Sequence, residues 1–300
     1  MKRIPGLAAA LLAGAALLSQ AAPVAAQQDF RWSGRLARGE QISVRGIVGD
    51  IRAEPTSGAE VVVTAVRRGR GARDVRIETV RRSEGVVICA LWPRDDDDRG
   101  WRGRRDRDDD GDREPNDACN RSGGSTRDND ARVDFTVRVP AGVRVSLGTV
   151  SGDVYATGLH SPVRAASVSG DVRVSSDGPV QATSVSGDVD ATLGRIAGQS
   201  LHFTSVSGNV TLRVPASIDA DFSARTLSGS IDSDFPLTIG SGRDRPRGRD
   251  RDRDDDDDDG YGPGRIHVRI GQNASGRLGR GGPDLTVNTV SGDIALVRAR

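Results

Sequence analysis

The sequence predicts an all-β chain, a single-chain β-solenoid of stacked two-strand rungs. A hexapeptide of the type T/S-V-S-G-D-V recurs along the chain, and recurrence at a short period marks an architecture in which each unit leans on its neighbours. Around each copy, apolar or small residues occupy every second position, the period of a strand with one buried face. Composition agrees: 38 glycines imply many turns or close backbone approaches, and with 3% aromatic residues the core must be built from Val, Ala, Leu and Ile. Such a core is thin.

The chain opens with the features of an export signal (residues 1–26). Lys2 and Arg3 give a positive start, residues 7–18 an apolar stretch, and Val24, Ala25 and Ala26 a small-residue cleavage site that leaves Gln27 as the new terminus. The apolar stretch is shorter than the roughly 20 residues that span a bilayer, so cleavage is favoured over anchoring. The expected location is periplasmic, cell-surface or extracellular. Lys2 is the only lysine. A mature chain without lysine has no Schiff-base, phosphate-loop Lys or Ser-Lys chemistry. The 43 Lys plus Arg balance 42 Asp plus Glu, which gives no net pull toward nucleic acid.

Residues 27–92 read as an N-terminal β segment holding a first rung around Gly46-Ile47-Val48-Gly49-Asp50-Ile51. Residues 93–131 form a charged insertion. Its tract 94–114 is almost entirely Arg, Asp and Gly, has nothing to bury, and is expected to be disordered. Cys89 and Cys119 flank it. In an oxidising compartment they are the disulfide candidate that closes its base. With no CxxC spacing, they do not read as a metal site.

Residues 132–240 carry the repeat itself. Hexapeptides occupy residues 149–154, 167–172, 184–189, 205–210 and 226–231, and TVSGDI follows at 289–294. Their serines, Ser151, Ser169, Ser186, Ser207, Ser228 and Ser291, are spaced by 18, 17, 21, 21 and 63 residues. The last step spans a second disordered charged insertion, residues 241–264. It leaves room in 265–300 for two C-terminal rungs, one of them a worn copy at residues 273–278. Each unit reads as strand, Ser-Gly corner, strand, with Gly152, Gly170, Gly187, Gly208, Gly229 and Gly292 as a turn column. Units of about 20 residues cannot shelter their own apolar face, but stacking at about 4.8 Å makes a continuous core. A β-sandwich is the alternative. It explains the alternation but not the same hexapeptide at every corner.

The serial T/S-V-S-G-D-V units, entered through Val133-Asp134-Phe135-Thr136-Val137-Arg138-Val139-Pro140, resemble a bacterial family of adhesin-like domains of unknown function. The likeness covers residues 132–300 and, more faintly, 42–93. It implies a β-coil and says little about chemistry.

Candidate sites are few. After the corner glycine come Asp153, Asp171 and Asp188, which the solenoid would align as a ladder. Clustered carboxylates suit Ca²⁺, but Asp is also a common turn residue that bonds nearby N–H groups. The turn role is preferred. The acidic runs 95–98 and 254–259 are cation candidates of the same kind, with interleaved arginines as competitors. The corner serines lack a GxSxG elbow. His160, His202 and His267 lack metal-ligand spacing, with His202 pointing outward, while Phe203 and Phe222 fall on inward positions. No catalytic set and no cofactor are expected.

The preferred function is an exported, non-enzymatic envelope or surface solenoid, a scaffold that binds a protein or polysaccharide partner. One alternative is a lyase-like enzyme on a β-helix, using an Arg base and Asp-bound Ca²⁺. Another is a periplasmic envelope-stress accessory protein.

Overall fold

Alternation of buried and exposed residues runs through nearly every strand. In Val163–Ser169, Val163, Ala165 and Ser167 are buried, while Arg164 and Val168 are exposed. A computed structural model describes residues 30–93, 119, 130–194, 198–241, 266–269 and 272–299. Residues 1–26, the tracts 94–114 and 243–259, and the acidic runs within them lie outside the described residues.

The strands, in chain order, are β1 (Phe30–Gly34), β2 (Gln41–Arg45), β3 (Ile51–Thr56), β4 (Val61–Arg68), β5 (Arg76–Arg82), β6 (Gly85–Leu91), β7 (Arg132–Pro140), β8 (Arg144–Ser151), β9 (Val154–Leu159), β10 (Val163–Ser169) and β11 (Val172–Ser176). They continue as β12 (Val180–Ser186), β13 (Val189–Leu193), β14 (Leu201–Ser207), β15 (Val210–Val214), β16 (Ala220–Ser228), β17 (Ser230–Ser233), β18 (Thr238–Ser241), β19 (Ile266–Arg269), β20 (Gln272–Leu278), β21 (Asp284–Ser291) and β22 (Ile294–Arg298). They form two sheets of 11 strands each. Sheet A runs β1-β4-β7-β3-β9-β11-β13-β15-β22-β17-β19, and sheet B runs β5-β6-β2-β8-β10-β12-β14-β21-β16-β20-β18.

Side by side, these orders define the rungs. Each repeat lays one strand in sheet B, turns at its Ser-Gly corner, and lays the next in sheet A, parallel to the rung before it. The result is a β-solenoid of two facing parallel sheets. The core between them is one cluster, with columns such as Leu147, Ala165, Ala182 and Phe203 on one side and Ala156, Val174, Ala191 and Leu212 on the other. Fully burying an aliphatic side chain contributes about 1.5–3 kcal/mol, so each rung adds stability only while both neighbours cover it. Antiparallel strands close the ends: β1, β4 and β5 at one, β18, β19 and β20 at the other. They occupy the edges at which an open rung would recruit another chain.

Two features depart from the sequence reading. Residues 273–278 are not a rung. They lie in β20, antiparallel to β16 and β18, because the segment lacks the corner chemistry described below: a Cβ on its Gly276 would meet Leu237 and Pro236 rather than a neighbouring corner glycine. Residues 265–300 therefore hold one rung, β21–β22. That rung does not stack last. It lies between β14–β15 and β16–β17, with Leu285 paired to both Leu201 and Phe222.

The rung β6–β7 carries the first insertion at its corner. Cys89, on the outer face of β6, is bonded to Cys119, 30 residues along, and with Val80 and Val87 the pair makes a small buried cluster outside the main core. Closing a loop of that length contributes about 3–4 kcal/mol by chain entropy. Reduction under native conditions should lower the melting temperature, and a Cys89→Ser, Cys119→Ser variant should show the same loss without reductant.

Candidate functional site

The hexapeptide earns its repetition at the corner, where three hydrogen-bond ladders run along the stack. Backbone comes first: the N–H groups of Gly152, Gly170, Gly187, Gly208 and Gly292 donate to the carbonyls of Ser169, Ser186, Ser207, Ser291 and Ser228 at 2.9–3.1 Å. Carboxylates form the second ladder. Asp50 Oδ1 accepts from Asp153 N, Asp153 from Asp171 N, Asp171 from Asp188 N, and Asp188 from Asn209 N, at 2.8–3.1 Å. Asn209 Oδ1 then accepts from Asp293 N at 2.9 Å, and Asp293 Oδ1 from Ser230 N at 2.7 Å. In the third, the hydroxyls of Thr149, Ser167, Ser184, Ser205, Thr289 and Thr226 donate to the carbonyls of Gly49, Gly152, Gly170, Gly187, Gly208 and Gly292 at 2.8–3.2 Å.

Glycine is required by the same geometry. Gly152, Gly170, Gly187, Gly229 and Gly292 have φ between 148° and 156°. A Cβ on any glycine of the column, Gly208 included, would lie 2.1–2.3 Å from the carbonyl oxygen of the neighbouring rung's corner glycine.

Asp153, Asp171 and Asp188 are therefore brought together as the ladder expected of them, but each spends Oδ1 on the next rung's N–H. Asp153 Oδ2 also accepts from the Tyr155 hydroxyl at 2.9 Å, and Asp171 Oδ2 from Arg173 at 3.2 Å. Among the described residues, no three His, Cys, Asp or Glu side chains group in a way that could hold a metal ion. A neutral amide can take the same part, as Asn209 does. Asp171→Asn should thus change stability by less than about 0.5 kcal/mol, and Asp171→Ala, which strands the Asp188 N–H, should cost about 1–2 kcal/mol in denaturant titration.

The other candidates are dispersed. His160 Nδ1 lies 2.6 Å from Asp177 Oδ2, both exposed, at the return turn. His202 is exposed on sheet B, and His267 falls in β19. The corner serines are exposed along the edge of the stack. Phe203 and Phe222 are buried.

Sequence reasoning missed the valine of the hexapeptide. The small hydroxyl residue before it points inward and is satisfied by a glycine carbonyl, so the valine points out. Val150, Val168, Val185, Val206, Val290 and Leu227 are 40–67% exposed, and these are the large exposed apolar side chains among the described residues. They sit on consecutive strands β8, β10, β12, β14, β21 and β16, a ridge about 24 Å long at strand spacing. Water-facing apolar groups arrayed in one line mark an interaction surface, whereas scattered ones do not. The signal was present: an apolar residue out of phase with the buried face in every copy.

The two outer faces differ in charge. On sheet A, Arg132 pairs with Asp50 at 2.6 Å and Asp134 at 3.0 Å, Arg173 with Asp171 and Asp190 at 3.2 and 3.5 Å, and Arg213 with Asp190 at 3.2 Å. Tyr155 sits under Arg52 and Arg173, 4.6 and 5.6 Å from their guanidinium carbons. Its hydrogen bond to Asp153 holds the phenol above its ordinary pKa, and the Asp134 carboxylate does the same for the Arg132 guanidinium. The middle of sheet B is different. The outward residues of β8, β10, β12 and β14 include Arg144, Arg164, Gln181, Thr183, His202 and Thr204, and no carboxylate.

The corner ladders account for the hexapeptide, and part of the chain that holds it is similar to a known family. Residues 118–251 match the Toastrack family, DUF4097. The Toastrack match takes in the hexapeptides from 149 to 231 and leaves the first rung and the intercalated rung outside it. The function of the Toastrack family is unknown, and the expected resemblance to a domain family of unknown function stands. A solved structure, a "putative cell adhesion protein" from Clostridium sporogenes ATCC 15579, is similar at a TM-score of 0.42 with 9% sequence identity, over 90% of this chain and 99% of that one. No curated protein matches the chain in sequence. Among the described residues, no helix is long and apolar enough to cross a membrane.

Proposed function

We propose that the protein is an exported, non-enzymatic solenoid of the cell envelope or surface that binds another macromolecule through the outer face of sheet B. The ridge of Val150, Val168, Val185, Val206, Val290 and Leu227 carries this reading. Six apolar side chains held in water on a rigid sheet are a standing cost unless a partner covers them. Next to them, Ala166, Thr183 and Thr204 make a low, flat column that a broad partner can approach. The signal read in residues 1–26 supports export, and its two basic residues and apolar stretch are the basis for it.

The test is binding of labelled full chain to isolated bacterial envelopes. A Val168→Asp, Val185→Asp variant should stay folded with only a modest drop in melting temperature, because neither side chain belongs to the core although two like charges then face each other on neighbouring strands, and should lose most of its binding. Undiminished binding would reject the reading. The same reading assigns the corner carboxylates to structure rather than to a resident cation. Millimolar Ca²⁺ should leave the melting temperature unchanged and give no heat in calorimetry; a rise of several degrees would reverse that assignment.

A further inference from the structure

The polar margin of sheet B's outer face holds a groove of about 240 Å³. Gln41, Arg144, Arg164, Gln181 and His202 line it, one from each of the adjacent strands β2, β8, β10, β12 and β14, so it extends about 19 Å along the stack. Gln199 rims it, and Pro162 and Pro179 from the return turns add apolar surface with no N–H to satisfy. Among the described residues lining it none is acidic, and the one aromatic ring is the His202 imidazole.

Among the described residues the arginines here lack the carboxylate partners that Arg132, Arg173 and Arg213 each have on sheet A. Arg164 is exposed and has no side-chain partner among the described residues. Arg144 donates Nε to the Gly39 carbonyl at 2.7 Å, which fixes its guanidinium at the groove. Asp177, a return-turn acid, is bonded to His160, and Glu40 is bonded to Arg81. A guanidinium with free N–H groups is a bidentate site for carboxylate. The amides of Gln181 and Gln199 can both donate to and accept from hydroxyls.

We infer that this groove takes an acidic polysaccharide, a polymer of carboxylate-bearing sugars lying along the stack axis. An extended shape suits a polymer rather than a single small anion. A polymer whose rings repeat at about the strand spacing of 4.8 Å meets a polar side chain at every rung, and the prolines offer flat apolar patches to ring faces. Nucleic acid fits less well, because the groove offers bases a single imidazole, that of His202, rather than a series of aromatic rings on which to stack. The inference rests on the proposal that sheet B's outer face is the binding face, and it names the chemistry of the partner.

The test uses the full chain and polygalacturonate, with neutral dextran, polyphosphate and single-stranded DNA as comparison polymers, read by calorimetry. Polygalacturonate should bind and dextran should not. Arg164→Gln, which removes no side-chain bond among the described residues, should weaken binding about tenfold or more. Arg173→Gln on sheet A should leave it unchanged. The inference is overturned by absence of polygalacturonate binding, by equal binding of polyphosphate or DNA, or by equal losses from Arg164→Gln and Arg173→Gln. Envelope binding separates it from the broader proposal. If Val168→Asp, Val185→Asp abolishes envelope binding while Arg164→Gln affects neither that nor polygalacturonate, the groove fails and the face stands. If Arg164→Gln weakens polygalacturonate while neither variant alters envelope binding, the groove stands and the face's envelope role fails.

Discussion

Gly170→Ala is expected to destabilise the protein by about 3 kcal/mol or more, enough to abolish a cooperative transition in a marginal variant. Two effects coincide at that position. The backbone has φ 152°, which a Cβ opposes, and the added carbon would sit 2.1 Å from the Gly152 carbonyl oxygen. That oxygen cannot retreat. It accepts the Ser167 hydroxyl at 2.8 Å, and its residue is fixed between rungs by the N–H bond to Ser169. Gly148→Ala is the matched control, with no heavy atom within 4 Å of its added Cβ. Its effect should be within about 0.5 kcal/mol, since alanine costs less backbone entropy in a strand. Denaturant titration of both variants provides the check. Equal, small effects would mean that the corners do not approach as closely as described.

Deleting residues 284–299 should do more than shorten the stack. Were β21–β22 the terminal rung, its loss would expose one face of one neighbour. It is interior, so its removal leaves β14–β15 and β16–β17 about 9.6 Å apart, two strand spacings, with unpaired edges and uncovered Leu201, Phe203, Phe222 and Leu212. The truncated chain should lose its cooperative transition or associate through the open edges. A peptide of residues 284–299 added in trans should restore it, because the slot presents on both sides the donors and acceptors that the hexapeptide uses. Retention of a full, cooperative transition without the peptide would show that the neighbouring rungs close on each other.

The strand-corner-strand unit was legible because it is local. Val163, Ala165 and Ser167 alternate with Arg164 and Ala166 whatever the neighbours do, and Gly170 marks a conformation other residues avoid. The aspartate after it was legible as a turn residue, although its partner, the N–H one rung away, was not. The valine ridge was harder to see. Hydrophobicity usually points inward, and at residues 149–150, 167–168 and 184–185 the polarity is reversed. A buried Thr or Ser is tolerable there only because a glycine carbonyl in another rung accepts its proton, a fact of packing. The lack of carboxylates on the middle strands of sheet B was hidden for a related reason, because basic and acidic residues are nearly balanced over the whole chain and the run β8, β10, β12 and β14 is seen only when the strands are assigned to sheets.

By itself the sequence determined the building block: its period, its inward face, its corner, and the need for like units to cover one another. It did not determine their order. Every corner offers its neighbour the same N–H, carbonyl, hydroxyl and carboxyl groups, so Thr289–Ser291 can stack on Ser205–Ser207 as well as Thr226–Ser228 can. Only the three-dimensional structure chose, placing the last rung between two earlier ones and giving residues 273–278 to an antiparallel cap. The groups that make one rung interchangeable with the next leave the order of stacking to the turns, the caps and the fit of the core.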